Sequence, residues 1–147
     1  MTGGPAARLP LDPDGERYVS LATFRRNGRE VRTPVWIARD PDDPEGRRCF
    51  VYTNAKSGKV KRIRANGRAR LAPCDARGRL RGDWVDARAR VAEDPVEVER
   101  GFTSIVSKYG WQMRLALLAS RVSGRYADRC ILGLELGGTG SDPGAAA

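Results

Sequence analysis

Three short runs hold the residue types most able to do chemistry. They are RTPVWI at Arg32–Ile37, FVYTNAKSGKVKRI at Phe50–Ile63 and RARLAPCDARGRLRG at Arg68–Gly82. In the second run, Ser57 stands where a helix can begin, with Val60 and Ile63 three apart on one side and Lys59 in the first turn. Backbone amides left free at a helix start favour an anion, and a lysine beside them adds a mobile positive charge. The chemistry that follows is phosphate binding; the plain alternative is a serine cap and a solvated lysine. Lys61, Arg62 and Arg64 can likewise pair with an acidic ligand or simply cover a helix. In the first run, Pro34 has no amide donor, so its strand needs an edge, a bulge or an unpaired side there, a common border for a ligand. Trp36 and Tyr52 can face a flat ring or pack as ordinary core.

Composition removes several other chemistries. The 147 residues include no histidine. Serine and cysteine hydrolases usually take imidazole as their base, and most zinc enzymes take at least one imidazole ligand, so both are poor readings. Cys49, Cys74 and Cys130 are odd in number and widely spaced, which argues against a disulfide framework and a structural zinc site. Cys74, in LAPCD, reads as either a reactive thiol or inert filling. No metal site and no catalytic residue emerges, which leaves chemistry carried by a bound cofactor, or binding alone.

The net charge is +9. The stretch Lys56–Arg90 holds twelve Lys and Arg against three Asp, an excess of nine, so the remainder of the chain is neutral. Such a stretch suits an anionic partner, whether phosphate, polycarboxylate or nucleic acid, or else a solvated basic face. No RNA- or DNA-binding motif accompanies it, and aromatic residues are not interleaved as a stacking platform, which weighs against nucleic acid. No apolar run approaches the roughly 20 residues needed to cross a bilayer, and MTGGPAARLPLDPDGERY has no signal-peptide core. No membrane partner and a cytoplasmic location are therefore expected.

The elements that must position these residues can be read in order. Met1–Glu16 and Gly137–Ala147 are rich in Gly, Pro and small residues and are expected to be mobile, leaving 17–136 as one domain. The patterns predict strands at Tyr18–Phe24 and Glu30–Ala38 joined by a tight Asn27-Gly28 turn, then a strand at Arg48–Thr53 and a helix from Ser57 to about Ala65. Further strands are predicted at Arg68–Cys74, at Leu80–Val91 with a bulge near Gly82, and at Cys130–Leu136. A helix follows Pro95 through Tyr109 with Phe102, Ile105, Val106 and Tyr109 on one face; Gly110 ends or bends it, and Trp111, Leu115, Leu118 and Val122 continue a helical spacing. Strands early and helices late favour a mainly β fold, a small antiparallel barrel with peripheral α-helices, over an alternating parallel sheet.

Taken in order, the three runs resemble the split β-barrel flavin and deazaflavin oxidoreductases of the pyridoxamine-phosphate-oxidase-like superfamily. The closest likeness is to its actinobacterial group of F420-dependent enzymes, and it covers about Tyr18 to Leu136. YTN at Tyr52–Asn54 with Ser57 and Lys59 looks like the superfamily's phosphate-binding turn, while SGKVKRI and LAPCDARGRLRG look like the deazaflavin subgroup. The resemblance implies a cofactor phosphate near Thr53, Ser57 and Lys59, and a tricyclic ring along Thr33, Pro34, Val35 and Trp36. Arg32 matches a phosphate-binding arginine of flavin relatives, and Lys61 and Arg62 are placed to meet the cofactor's acidic tail. Flavin relatives often carry a second basic residue just before the matching lysine; here that position is Gly58, which leaves the charge to Lys56, Lys61 or Arg62. The implied activity is hydride transfer from reduced F420 to an electron-poor small molecule such as a quinone, a tetrapyrrole, an unsaturated lactone or a fatty acid. The implied assembly is a homodimer with sites at the interface, and Trp84 could reach a neighbouring subunit's site. FMN chemistry on the same fold, a cofactor carrier without activity and a nucleic-acid-binding module are the competing readings.

Overall fold

The computed structural model describes residues 11–123 and 128–137. Six strands occur among them: β1 (Tyr18–Phe24), β2 (Glu30–Arg39), β3 (Arg48–Asn54), β4 (Arg68–Cys74), β5 (Val85–Val91) and β6 (Arg129–Leu136). Three helices join or cover them: α1 (Gly58–Asn66), α2 (Pro95–Tyr109) and α3 (Trp111–Ser123). The strands close into an antiparallel barrel in the order β1-β2-β3-β6-β5-β4.

Alternation decides what the barrel encloses. Val19, Leu21, Val35, Ile37, Cys49, Val51, Leu71, Val85, Ala87, Leu132 and Leu134 point into one buried cluster, which Val60 and Ile63 of α1 close from the end of the barrel. The opposite faces of β2, β3 and β6 bear a second cluster, with Ala38, Phe50 and Ile131 packed under Ile105, Tyr109 and Met113. The helix α2 fits this face because Gly101 has no side chain: a β-carbon there would lie 2.6 Å from Ile131 Cγ2. Asp94 caps α2 by accepting from the Val96 amide, Pro95 opens it and Glu97 lies in its first turn.

β2 changes partner along its length, and this opens the barrel wall. Glu30–Val35 pair with β1, whereas pairing with β3 begins only at Trp36 opposite Tyr52. Pro34 therefore stands in the half of β2 that has no β3 neighbour, where its missing donor costs nothing. Gly28, at φ 86°, makes the preceding turn.

Several boundaries depart from the sequence reading. β5 begins at Val85, not Leu80: its ladder with β4 ends at Leu71 opposite Val85, and Leu80 forms only an isolated bridge to Cys74. The turn after β4 is held by the Arg81 N–H donating to the Pro73 carbonyl at 2.7 Å, but the chain bends at Gly82, against the Pro73 ring, and resumes pairing only at Val85. Val91 is only half-buried, packed against the rim of the core. Residues 1–10 and 138–147 lie outside the described residues. The part of the amino-terminal segment that is described is anchored: Leu11 is buried, Asp14 accepts from the Arg39 amide and Lys108 donates to the carbonyls of Pro13 and Glu16. Trp111, Leu115, Leu118 and Val122 do lie on a helix but are exposed, between 55% and 82%. Among the described residues no helix is long and apolar enough to cross a membrane.

Candidate functional site

Where β2 parts from β3, a cavity of about 350 Å³ opens, lined by Tyr18, Pro34, Val35, Trp36, Tyr52, Thr53, Lys59 and Ala76. Its walls are local consequences of the fold. Pro34 and Val35 border it where β2 has no β3 neighbour, and Tyr52 and Thr53 lie at the end of β3 itself. The indole of Trp36 is held from behind by Tyr109, and Tyr52 meets the edge of Phe102, with ring centroids 5.8 Å apart. Both aromatics thus pack against α2 and border the cavity, so the two readings of them hold together.

Asn54 turns the chain from β3 into α1. Its side chain accepts from the Lys56 amide and its carbonyl accepts from the Ser57 amide, at 2.8 Å and 3.0 Å. Ser57 occupies the N-cap position in extended conformation, yet its hydroxyl makes no capping bond. Its Oγ is buried without a hydrogen-bond partner. A buried hydroxyl left unpaired costs about 1–3 kcal/mol, so the atom is suited to a ligand. No acidic residue lies in the first turn of α1. Lys59, half-buried at the cavity wall, has its pKa lowered first by burial and then by the nearby Arg62 charge. Arg62 is lowered in the same way by burial and by Arg25, and its Nε donates to Thr23 Oγ1 at 2.6 Å. The helix start therefore offers donors and positive charge together.

Of the residues singled out from the sequence, Pro34, Val35, Trp36, Tyr52, Thr53 and Lys59 line the cavity, and Ser57 and Arg62 stand at the adjoining helix end. Thr33, Arg32 and Lys61 do not line it. Arg32 is drawn elsewhere: its Nε bonds Glu30 Oε2 at 2.6 Å and its guanidinium stacks over the Trp84 ring at 4.7 Å, with Arg70 on the same ring at 5.1 Å. Lys61 lies on the exposed side of α1. Lys56 pairs with Asp128 at 3.6 Å. Part of the basic stretch is neutralised by acids from other segments, since Arg70 meets Glu30 and Arg90 meets Glu97. Cys74 is inert packing: it is buried, and burial followed by Asp75 raises its pKa.

Tyr18 and Ala76 were not singled out. They reach the cavity through the β1–β4 register, in which Tyr18 lies opposite Cys74, a non-local pairing with no signal in either segment alone.

Comparison with known proteins agrees with this architecture. Among solved structures, a conserved hypothetical protein of Mycobacterium tuberculosis superposes with a TM-score of 0.59 at 20% identity, covering 90% of this chain and 79% of that one. HutZ, a heme storage protein of Vibrio cholerae, gives 0.59 at 15% identity over 92% and 91% of the two chains. A Clostridium acetobutylicum protein of the pyridoxinephosphate oxidase family, related to general stress protein 26, gives 0.56 at 17% identity over 84% and 77%. At these identities the likeness is one of fold. No curated protein matches the sequence. The pyridoxamine 5'-phosphate oxidase family matches residues 13–135, which spans the whole barrel and its helices, and the chain belongs to that family.

Proposed function

We propose that the protein is an oxidoreductase that binds F420 and reduces an electron-poor small molecule. The observation that carries this reading is the acid-free start of α1, with Ser57 Oγ buried and unpaired, beside an aromatic-lined cavity. Ser57, the first amides of α1 and Lys59 would hold the cofactor phosphate. Pro34, Val35 and Trp36 would lie along the ring, with Tyr52 and Thr53 on the side of β3. The exposed bases of α1, Lys61 and Arg64, would attract the acidic tail from solvent, a long-range role that needs no direct contact.

Reduced F420, when bound, supplies a hydride for an electron-poor double bond. The chain's own residues orient and enclose. Trp36, braced by Tyr109, fixes one wall of the cavity, and Val35 and Pro34 present apolar surface against which a bound ring would lie, conditions under which donor and acceptor would be held at roughly 3–3.5 Å.

FMN on the same site is the second reading, favoured by the family match itself. Heme, which HutZ stores, would have no imidazole ligand in a chain without histidine. A cytoplasmic homodimer is the proposed form. It is supported by the exposed stripe Trp111, Leu115, Leu118 and Val122, whose spacing of four, three and four suits a helix seam. The activity is tested by mixing the protein with reduced F420 and a panel of quinones, tetrapyrroles and unsaturated lactones and following the oxidised cofactor's absorbance. Acceptor-dependent oxidation supports the reading; oxidation no faster than without protein, across the panel, contradicts it.

A further inference from the structure

We propose that Gly58 and Arg62 form a matched pair: the bare α-carbon of Gly58 seats the Arg62 guanidinium against the first turn of α1, where it supplies the second positive charge of the phosphate site. The proposal rests on the phosphate reading above and assigns Arg62 a place in that site.

The geometry is specific. A β-carbon on Gly58 would lie 2.7 Å from Arg62 Nη1, 3.3 Å from Cζ and 3.4 Å from Nη2, so the guanidinium fills the space a side chain would take. Residues four apart share a helix face, and side chains lean toward the amino end, which brings a charge carried at 62 back to the level of 58. Thr23 fixes it there, accepting from Arg62 Nε at 2.6 Å from a buried position on β1.

This arrangement opposes the charge of the helix end. The amino terminus of a helix is already positive, and Arg62 shares it with Lys59 and lies near Arg25, each lowering a neighbour's affinity for its proton. The contrast within the chain is α2, whose start carries Asp94 and Glu97. At α1 the first turn has no acid and the cap hydroxyl has no partner. A phosphate bound between Ser57, Lys59 and Arg62 would satisfy all three. The other bases left to fill the role are placed less well, since Lys56 is directed to Asp128 and Lys61 faces solvent.

The test compares ligands with and without the phosphate. The full chain, wild type and variants, is titrated with FMN and riboflavin, which differ by the phosphate alone, and in parallel with F420 and its deazaflavin core, which lacks both the phosphate and the acidic tail, so that either cofactor identity leaves the test usable. Arg62→Ala is expected to weaken the phosphate-bearing ligand about 10- to 100-fold and leave the phosphate-free one unchanged, with Arg62→Lys retaining part of the affinity. Gly58→Ala should reproduce the loss while its circular dichroism spectrum stays that of the folded wild type, because only the guanidinium must move and the helix-propensity gain of alanine offsets part of the lost Thr23 bond. If Lys59→Ala abolishes the phosphate preference while Arg62→Ala and Gly58→Ala keep it in full, the pair is overturned and the phosphate site stands. If the wild type shows no preference for the phosphate-bearing ligand of either pair, both fall.

Discussion

The indole of Trp36 lies flat on the phenol of Tyr109, with ring centroids 4.6 Å apart and planes 11° from parallel. The same tyrosine hydroxyl accepts from the Ile37 amide at 2.9 Å and donates to the Arg17 carbonyl at 2.7 Å. One α2 side chain thus serves the β2 backbone just past its change of partner and braces the cavity's aromatic wall. Tyr109→Phe keeps the stack and strands the Ile37 amide. It should destabilise the protein by about 1–3 kcal/mol in urea unfolding. A midpoint equal to wild type would show that the hydroxyl contributes nothing.

Gly101 sets how closely α2 approaches the barrel. Gly101→Ala places a methyl 2.6 Å from Ile131 Cγ2 and 3.2 Å from Phe50 Cδ1. Overpacking of this kind costs about 1–3 kcal/mol, against a helix-propensity gain of up to about 1 kcal/mol, so a net loss of stability is expected. A melting temperature above wild type would mean that α2 has room to shift.

Lys59 gives the site a pH dependence with a definite sign. Its pKa lies below the ordinary 10.5, through burial and then Arg62; the titratable groups facing the same cavity are Tyr18 and Tyr52. The ammonium that attracts phosphate is lost as pH rises through this depressed value. Affinity for F420 should therefore fall at a pH below 10.5, and Lys59→Arg should move the fall upward. An alkaline limb that stays in place in Lys59→Arg would assign it to another group.

Much of the fold was legible because it is written locally. The limits of β1, β4 and α2 agree with the alternation and capping signals of Tyr18–Phe24, Arg68–Cys74 and Pro95–Tyr109. β5 was not, because the bend at Gly82 interrupts the pairing between the Leu80 bridge and Val85, and the alternation runs through it without a break. The site divides in the same way. Lys59 and Ser57 announce themselves by their place after a strand, whereas Tyr18 and Ala76 arrive through register. Arg32 illustrates the converse: its strand position was read correctly, but Glu30 and Trp84 compete for its guanidinium. The seat of Arg62 depends on an atom that glycine lacks, which no pattern of side chains displays.

The exposed stripe of α3 makes the dimer testable. Leu118 is 59% exposed, so Leu118→Glu should leave the monomer folded. Sedimentation equilibrium is expected to give a dimer for wild type and a monomer for the variant with an unchanged circular dichroism spectrum. A dimer that survives the substitution would place the contact elsewhere, and a monomeric wild type would remove the proposed assembly.

The most direct test of the central claim is a fluorescence-quench titration of the wild-type protein and Lys59→Ala with F420 and, separately, with FMN. The account predicts F420 binding that FMN does not match and that falls about tenfold or more in the variant, as expected for loss of a charged hydrogen bond. Binding of neither cofactor, or F420 affinity indifferent to Lys59, would contradict it; tighter binding of FMN would transfer the site to flavin chemistry.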